Sequence, residues 1–227
     1  MLEENLKLVK ERIAHACQRA GRDPSEITLV AVSKKKPLSD VETLLQAGQP
    51  DYGENYVQEL CQKYDEISRP VRWHMIGHLQ TNKVKYIVDK VVLIHSVDSV
   101  HLARQIEKEA AKKDLVSNIL IQINIGHEET KFGLEAEEAL NMIREISKFP
   151  HVRIRGLMAS APFTANPEEN RCYFQKLHEL FIDIREKNID NVDMEILSMG
   201  MTNDYEIAIE EGATMVRIGT AIFGARN

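Results

Sequence analysis

Ile27-Thr28-Leu29-Val30-Ala31-Val32-Ser33-Lys34-Lys35-Lys36-Pro37 is an apolar, β-branched run that ends abruptly in three lysines and a proline. The run is short for a helix and too apolar for a strand with one face in water. It therefore predicts a strand buried on both faces, as in a parallel sheet. Ligands of parallel sheets and barrels bind at the carboxyl ends of the strands. We expect a lysine at such an edge, where partial desolvation lowers the pKa of an amine and favours imine formation.

Strand alternation alone does not decide which lysine faces the ligand. Lys34 and Lys36 fall on the same side of an extended strand as Val30. Pro37 is expected to end the strand, so Lys34 would lie deeper than Lys36. A solvated basic loop is the alternative interpretation of all three lysines.

The composition is that of a globular chain with an acidic balance. The 227 residues are 43% hydrophobic, which suits one large domain or two small ones, and the net charge is −6. An excess of acid argues against a nucleic-acid surface, and no apolar run approaches the roughly 20 residues of a membrane span. Cys17, Cys61 and Cys172 are scattered, which favours a reducing compartment and argues against a metal cage. Because the charged N-terminus is unlike a signal peptide, we expect a cytoplasmic protein.

Hydrophobic periodicity alternates between strand and helix along the chain. Residues 2–20 predict an amphipathic helix that ends at Gly21. The strand candidates that follow are 27–34, 51–54, 71–77, 93–97, 118–125, 154–160, 194–199 and 215–223. Helical patterns lie between them, at about 39–48, 55–68, 79–89, 99–113, 135–148, 167–187 and 203–211.

Strict alternation of this kind implies a parallel sheet. Eight such units predict a single (β/α)8 TIM-like barrel with an extra N-terminal helix, with residues 1–227 as one domain. An open doubly wound sheet is the alternative. It would favour a glycine-rich turn after the first strand, and neither Gly-x-Gly-x-x-Gly nor Gly-Lys-Ser/Thr occurs.

Small and polar residues concentrate where the last two predicted strands end. The segments are Ser198-Met-Gly-Met-Thr202 and Gly219-Thr220. In (β/α)8 barrels the loops after strands seven and eight frequently bind phosphate through backbone amides. An ordinary strand-to-helix turn is the alternative. The predicted phosphate cradle consists of Ser198, Thr202, Gly219 and Thr220.

Other polar residues near the strand ends have more than one interpretation. Arg217 interrupts an apolar strand, and a buried guanidinium needs a partner; a salt bridge to Glu195 and a ligand atom are both open. Glu54-Asn55 would orient the lysine or the ligand, although asparagine is also a common helix cap. His74 and His78 would suit zinc on a helix. We expect them at a strand end, where four residues span about 13 Å, so a metal site is disfavoured.

Seven motifs in this order, over nearly the whole chain, resemble those of the pyridoxal phosphate homeostasis protein family. That family is similar to the N-terminal barrel of alanine racemase. The motifs are Ala31-Val-Ser-Lys34-x-Lys-Pro37, Gly53-Glu-Asn-Tyr-Val-Gln-Glu59, Trp73-His-x-Ile-Gly-His-Leu-Gln80, Ile121-Gln-Ile-Asn-Ile125, Arg155-Gly-Leu-Met158, Leu197-Ser-Met-Gly-Met-Thr202 and Val216-Arg-Ile-Gly-Thr-Ala-Ile-Phe-Gly-Ala225.

The resemblance implies a cofactor and a role for several residues. Lys34 would hold pyridoxal 5′-phosphate covalently, as a Schiff base, and Arg217 would lie at the pyridine nitrogen. Thr202 stands where many members have serine, and the hydroxyl is kept. The residues implied at the phosphate are Ser198, Gly219 and Thr220, and those implied to line the site are Asn55 and Met158.

An arginine at the pyridine nitrogen donates no full proton, so the ring would be a weak electron sink. Racemases of this barrel type add a second domain, for which we expect no room here. We therefore expect a protein that binds pyridoxal 5′-phosphate for intracellular homeostasis, and buffers it or delivers it to apo-enzymes, without catalytic turnover.

Two enzymatic functions are the alternatives. One is a pyridoxal-phosphate-dependent amino-acid racemase that uses His78 or Tyr56 as acid or base, and the other is a phosphosugar enzyme that forms a substrate imine. We expect a monomer. Lys131 is a candidate for binding cofactor in transit, with a solvated loop lysine as the favoured interpretation.

Overall fold

A closed barrel of eight parallel strands forms the centre of the molecule. The computed structural model describes residues 1–126 and 132–225, and the strands pair in chain order. They are β1 Thr28–Val32, β2 Asp51–Glu54, β3 Arg72–Met75, β4 Leu93–Val97, β5 Ser117–Ile123, β6 Val152–Ala159, β7 Val192–Ser198 and β8 Met215–Ile218. The predicted (β/α)8 barrel with an extra N-terminal helix is confirmed. The extent of the domain, residues 1–227, stays a prediction, and Lys131 lies outside the described residues.

Helices cover the outside of the barrel. They are α1 Leu2–Arg19, α2 Leu38–Gln46, α3 Val57–Glu66, α4 Val84–Ile87, α5 Val100–Lys112, α6 Ala136–Ile146, α7 Arg171–Glu186, α8 Tyr205–Glu210 and α9 Thr220–Phe223. The extra helix α1 packs on α8 and α9, with Asn5 donating to the Ile222 carbonyl at 3.0 Å. Within the two described ranges, no helix has the length and apolar character needed to cross a membrane.

Two layers of apolar side chains stabilise the barrel. The outer layer lies between the strands and the helices and includes the predicted face of α1. The inner layer is a small cluster within the barrel, formed by Val30, Leu93, Leu120, Met158 and Met215. Barrel interiors are normally filled by layers of branched apolar residues. Another part of this interior is polar, with His74, His95, Ser198 and Arg217, and it leads to the candidate site.

Four predicted strands are longer than the observed ones, and the first and the last of them affect the candidate site. β1 ends at Val32, so Lys34 lies in the turn that follows and not in the strand. The strand predicted over 215–223 ends at Ile218, and Thr220–Phe223 form a helical turn in which Phe223 N donates to the Gly219 carbonyl at 2.9 Å. An apolar run does not by itself distinguish a strand from a buried helical turn, which explains the error.

Gly156 is required by the packing of β6 on β7. Its φ is +150°, and an added Cβ would lie 1.8 Å from the Ile196 carbonyl oxygen. We expect Gly156→Ala to lower the free energy of unfolding by at least about 3 kcal/mol, because strain and overlap add. Gly48→Ala is the control: its φ is +81°, nothing lies within 4 Å of the added Cβ, and about 1–2 kcal/mol is expected. Urea unfolding measures both, and equal losses would contradict the packing argument.

Candidate functional site

The turn after β1 presents one lysine to a cavity and uses another to bind the backbone. Lys34 lines a cavity of about 730 Å³ at the carboxyl end of the barrel. Lys36 Nζ instead donates to the carbonyls of Phe223, Gly224 and Ala225 at 3.0, 3.4 and 3.2 Å. Of the two lysines that the strand pattern left open, Lys34 is therefore the one that faces the cavity.

A buried cluster of charges fixes the backbone of this turn. Glu54, which is fully buried, accepts from the Ser33 hydroxyl at 2.6 Å and from Lys63 Nζ at 2.8 Å. Lys63 also donates to the Ser33 carbonyl and to Glu59, both at 2.8 Å, and Glu59 accepts from Lys35 N at 2.6 Å. Burial raises the pKa of Glu54, against the opposing effect of Lys63. The cluster, which we call the turn clamp, holds the residues on both sides of Lys34.

The cavity is walled by the loops that follow several strands. Lys34 and Asn55 come from the first two, and segment 160–164 follows β6. Segment 201–204 follows β7, and Arg217, Gly219 and Thr220 come from β8 and its end. Of the residues predicted for the site, Lys34, Asn55, Thr202, Arg217, Gly219 and Thr220 all line this one cavity.

Asp204 and Asn170 tie two of these loops together. Asn170 Nδ2 donates to Asp204 Oδ2 at 2.8 Å and to the Pro162 carbonyl at 3.0 Å. Asp204 Oδ1 accepts from Met201 N at 2.7 Å. The sequence analysis missed both residues. The partners are 34 residues apart, and no local pattern links them.

The turn after β7 depends on a glycine. Gly200 has φ +90°, and an added Cβ would lie 2.6 Å from Ala208 Cβ and 2.9 Å from Tyr205 Cα. Only glycine accepts this backbone so close to α8 without strain. Thr202, two residues later, accepts from Ala221 N at 3.4 Å. This bond joins the turns after β7 and β8 along the wall of the cavity.

Arg217 is a buried cation at the base of the cavity. Its side chain donates to Ser198 Oγ at 2.6 Å, to the Ala159 carbonyl at 2.9 Å and to Ser160 Oγ at 3.2 Å. Burial lowers the pKa of Arg217 to about 10, with a partly compensating effect of Asp204. The guanidinium therefore stays charged at neutral pH.

The salt bridge to Glu195 that the sequence left open for Arg217 is not formed. Glu195 is exposed and pairs with Arg155 instead. Side chains alternate across a strand, and this exposed position on β7 is not in the interior where Arg217 lies.

Ser198 and Met158 lie beneath the cavity and are not among its lining residues. Ser198 is fully buried, with its hydroxyl next to Arg217. Met158 belongs to the inner apolar cluster. Both side chains point into the barrel, so their positions favour support of the site from below over direct contact with a ligand.

Polar side chains continue from Ser198 through the barrel to its amino end. Ser198 Oγ lies 3.1 Å from His95 Nδ1, and His95 Nε2 lies 3.0 Å from His74 Nδ1. His74 Nε2 lies 2.9 Å from Asp51 Oδ1, and Asp51 also pairs with Arg72. Together with Arg217, we call Asp51, His74, His95 and Ser198 the interior chain. His74 is thus in the interior and not at the rim where the sequence placed it.

The pKa values of two residues in the interior chain, His95 and Asp51, are both lowered, for different reasons. Burial lowers the pKa of His95 well below its usual range, and the neighbouring His74 and Arg217 add to the shift. Burial alone would raise the pKa of Asp51, but hydrogen bonds from His74 and Arg72 keep it below its usual range. At neutral pH, Asp51 is therefore ionised and His95 is neutral.

His78 and Tyr56 line a neighbouring cavity of about 600 Å³ and not the one that holds Lys34. The His78 ring stacks on Phe132 with centroids 3.9 Å apart. Asn55 lines both cavities, and its buried Oδ1 has no hydrogen-bond partner within the described ranges. The two candidate acid–base groups are therefore separated from the lysine by the segment that carries Asn55.

Comparison with known proteins gives consistent results over the whole chain. The family model of the alanine racemase N-terminal domain matches residues 4–227. A pyridoxal phosphate homeostasis protein of Aquifex aeolicus is 46% identical over 224 residues, which cover 98% of this chain and 97% of the relative. The chain belongs to the pyridoxal phosphate homeostasis protein family.

Solved structures share the fold. A protein of unknown function from Bifidobacterium adolescentis has a TM-score of 0.90 and 30% identity, with coverage of 98% of this chain and 94% of that one. PipY of Synechococcus elongatus PCC7942, solved with PLP bound, has a TM-score of 0.87 and 29% identity, with coverage of 99% and 100%. The likeness thus extends over nearly the whole length of both chains.

Removing the cation of the turn clamp tests its contribution. Lys63→Met would leave the Glu54 carboxylate buried without its cation, and we expect a loss of about 3–5 kcal/mol in the free energy of unfolding. The double variant Glu54→Gln/Lys63→Met removes that charge and should recover much of the loss. Arg153→Met, which breaks an exposed pair with Asp193, is the control, with an expected cost below about 1 kcal/mol. A double variant as unstable as Lys63→Met would contradict this account.

Proposed function

We propose that the chain binds pyridoxal 5′-phosphate through a Schiff base to Lys34, and buffers or delivers it without catalytic turnover. The observation that supports this best is that Lys34, Arg217, Thr202, Gly219 and Thr220 line one cavity. A phosphorylated aldehyde needs an amine for the carbonyl and a separate group of donors for the phosphate.

The chemistry of the lining fits this cofactor. Lys34 and Arg217 are cations facing the same space, and an anionic ligand is attracted by both. Thr202 and Thr220 add hydroxyls, and we propose that they bind the phosphate together with Gly219. Asn55 carries a buried oxygen without a partner within the described ranges, which suits a donor on the ligand.

We propose that Ser198 and Met158 act from below the cofactor. The Ser198 hydroxyl accepts from Arg217 and would position the guanidinium at the pyridine nitrogen. Met158 packs within the inner apolar cluster and would support the floor of the cavity. The direct contact of Ser198 with the phosphate, which the resemblance implied, stays a prediction.

The same groups argue against turnover. When bound, the cofactor supplies a reversible imine and a ring that withdraws electrons if its nitrogen is protonated. Arg217 retains its proton at neutral pH and so offers the ring nitrogen only a hydrogen bond. The side chains of this chain therefore hold the aldehyde more readily than they promote carbanion chemistry.

An amino-acid racemase would need an acid and a base on either side of the cofactor. In the described part of the chain, the titratable residues that line the Lys34 cavity are Lys34, Asp204 and Arg217. Asp204 already accepts bonds from Met201 and Asn170, and His78 and Tyr56 line the other cavity. This arrangement favours a carrier over a racemase, and we propose that the carrier is a monomer that passes its cofactor to apo-enzymes.

Replacing the proposed covalent residue tests the binding site. Protein saturated with pyridoxal 5′-phosphate should absorb in the visible range, and borohydride should fix one cofactor per chain. Lys34→Ala should lose both signals because the amine is absent. Lys35→Gln is the matched control, since the Lys35 side chain is exposed and its backbone amide is retained. Full labelling of Lys34→Ala would contradict the assignment.

Exchange of amino-acid Cα protons separates a carrier from a racemase. We expect the loaded protein in deuterium oxide to exchange Cα protons no faster than the same concentration of free cofactor, because the described residues that line the cavity offer no acid–base pair on either side of the cofactor. Nuclear magnetic resonance of alanine and other amino acids measures the rate. Exchange well above that background, abolished in Lys34→Ala, would establish the racemase instead.

A further inference from the structure

The interior chain connects two groups of fixed hydrogen-bonding character. At the amino end, ionised Asp51 can only accept, so His74 Nε2 carries a proton that it donates to Asp51. At the other end, Arg217 can only donate, and it donates a hydrogen bond to Ser198 Oγ. Between them, His95 is neutral because it is completely buried, so it carries one ring proton.

These conditions allow two arrangements that differ by one proton. With His74 neutral, Ser198 donates to His95 Nδ1, and His95 Nε2 donates to His74 Nδ1. With His74 protonated on both nitrogens, His74 donates to His95 Nε2, and His95 donates from Nδ1 to Ser198. The two rings then carry three N–H protons in place of two, and Ser198 keeps its own proton but turns it away from His95. The gained proton comes from water.

We propose that the proton on His74 sets the direction of the interior chain, and so couples the amino end of the barrel to ligand binding beside Arg217. In the neutral arrangement, Ser198 accepts from Arg217 alone. In the protonated one, Ser198 accepts from both Arg217 and His95, so the guanidinium shares this acceptor with a second donor. His74 and His95 are thus positioning residues for Arg217, and this coupling rests on the proposed function of the cavity.

The charges around His74 determine the sign of the coupling. Asp51 on β2 faces His74 directly, with Arg72 beside it on the other side of Asp51. His95 on β4 is neutral, and Arg217 on β8 is the cation at the far end of the chain. Arg155 on β6, paired with Glu195 on β7, lines the same cavity of about 240 Å³ at the amino end as His74.

A positive charge on His74 is unfavourable because Arg217, at the other end of the interior chain, is also positive. An anion in the Lys34 cavity offsets this repulsion. Binding of a phosphorylated ligand therefore favours protonation of His74. By linkage, protonation strengthens binding by the same factor. We expect a coupling at the low end of the range of about 5–150-fold that is typical of linked sites, because two residues separate His74 from Arg217.

Nuclear magnetic resonance of 15N-labelled histidine tests the direction of the chain in protein without cofactor. At a pH where His74 is neutral, both His74 and His95 should be protonated on Nε2, and His95 should stay neutral across the range in which His74 titrates. A proton on Nδ1 of His95 under those conditions would overturn the proposal. His151, which pairs with Glu107 outside the barrel, is the internal control. This measurement needs no Schiff base, so it is decided independently of the proposed function.

Titration with pyridoxal 5′-phosphate tests the coupling. The midpoint of the His74 titration should move to higher pH when the cofactor is bound, while that of His151 stays constant. From acid to alkaline pH, the dissociation constant of pyridoxal 5′-phosphate should rise in the wild type. The rise should be several-fold smaller in His74→Gln, whereas His151→Gln should behave as the wild type does. Parallel profiles for the wild type and His74→Gln would overturn the proposal.

Ser198→Ala provides a second variant if His74→Gln does not fold. It removes the link between His95 and Arg217 with little change in volume, so the response of His74 to the cofactor should shrink to the part that is carried by charge through space. A response as large as that of the wild type would also overturn the proposal. If the wild type fails to form the visible Schiff-base band with pyridoxal 5′-phosphate, the proposed function is rejected instead. The tautomers of His74 and His95 would still decide the direction of the interior chain.

Discussion

The rest of the structure depends on the burial of one guanidinium without a hydrogen-bonded carboxylate. Arg217 is 4% exposed, and its recorded partners within the described ranges are two hydroxyls and a carbonyl. Removing a cation from water is costly unless its donors are satisfied. Here neutral acceptors satisfy the guanidinium donors, so Arg217 keeps its charge without forming a direct ion pair. An unneutralised cation at the base of a cavity creates a positive potential for a ligand to use.

This constraint explains the unusual composition of the barrel interior. Beyond Ser198 the barrel contains two imidazole rings, those of His95 and His74, which meet edge to face. Asp51 follows, as the nearest carboxylate along that route. The inner apolar cluster is correspondingly small. The barrel is therefore divided into an apolar part and a polar part, and the polar part runs from one end to the other. A buried network of this kind has a single well-defined arrangement only when all its members are satisfied.

The sequence was sufficient for the architecture because alternation is a local signal. Each apolar strand and each amphipathic helix appears within about ten residues, and the carboxyl ends of the strands give the rim directly. It directed attention to Lys34 and Arg217, which line one cavity, because the first follows an apolar run and the second interrupts one. It failed where the chemistry depends on contacts between distant segments. The bond from Asn170 to Asp204 and that from His74 to Asp51 join residues 34 and 23 apart.

Two further failures have the same physical origin. The partner of Arg217 could not be chosen from sequence, since Glu195 belongs to the preceding strand but lies on its exposed face. The role of Ser198 depends on whether a strand-end side chain points up to the ligand or down into the barrel. That choice is set by the stagger between β7 and β8, in which Ser198 lies level with Met215 and below Arg217.

The contacts of Lys36 have a practical consequence for the handling of this protein. The Lys36 ammonium group binds three successive carbonyls, those of the last residue of α9 and of the two residues that follow it. Lys36 is itself only two residues from Lys34. The last described segment is thus fastened to the turn that carries the reactive amine. An affinity tag or a cleavage site introduced there would alter the geometry of that amine without touching the cavity.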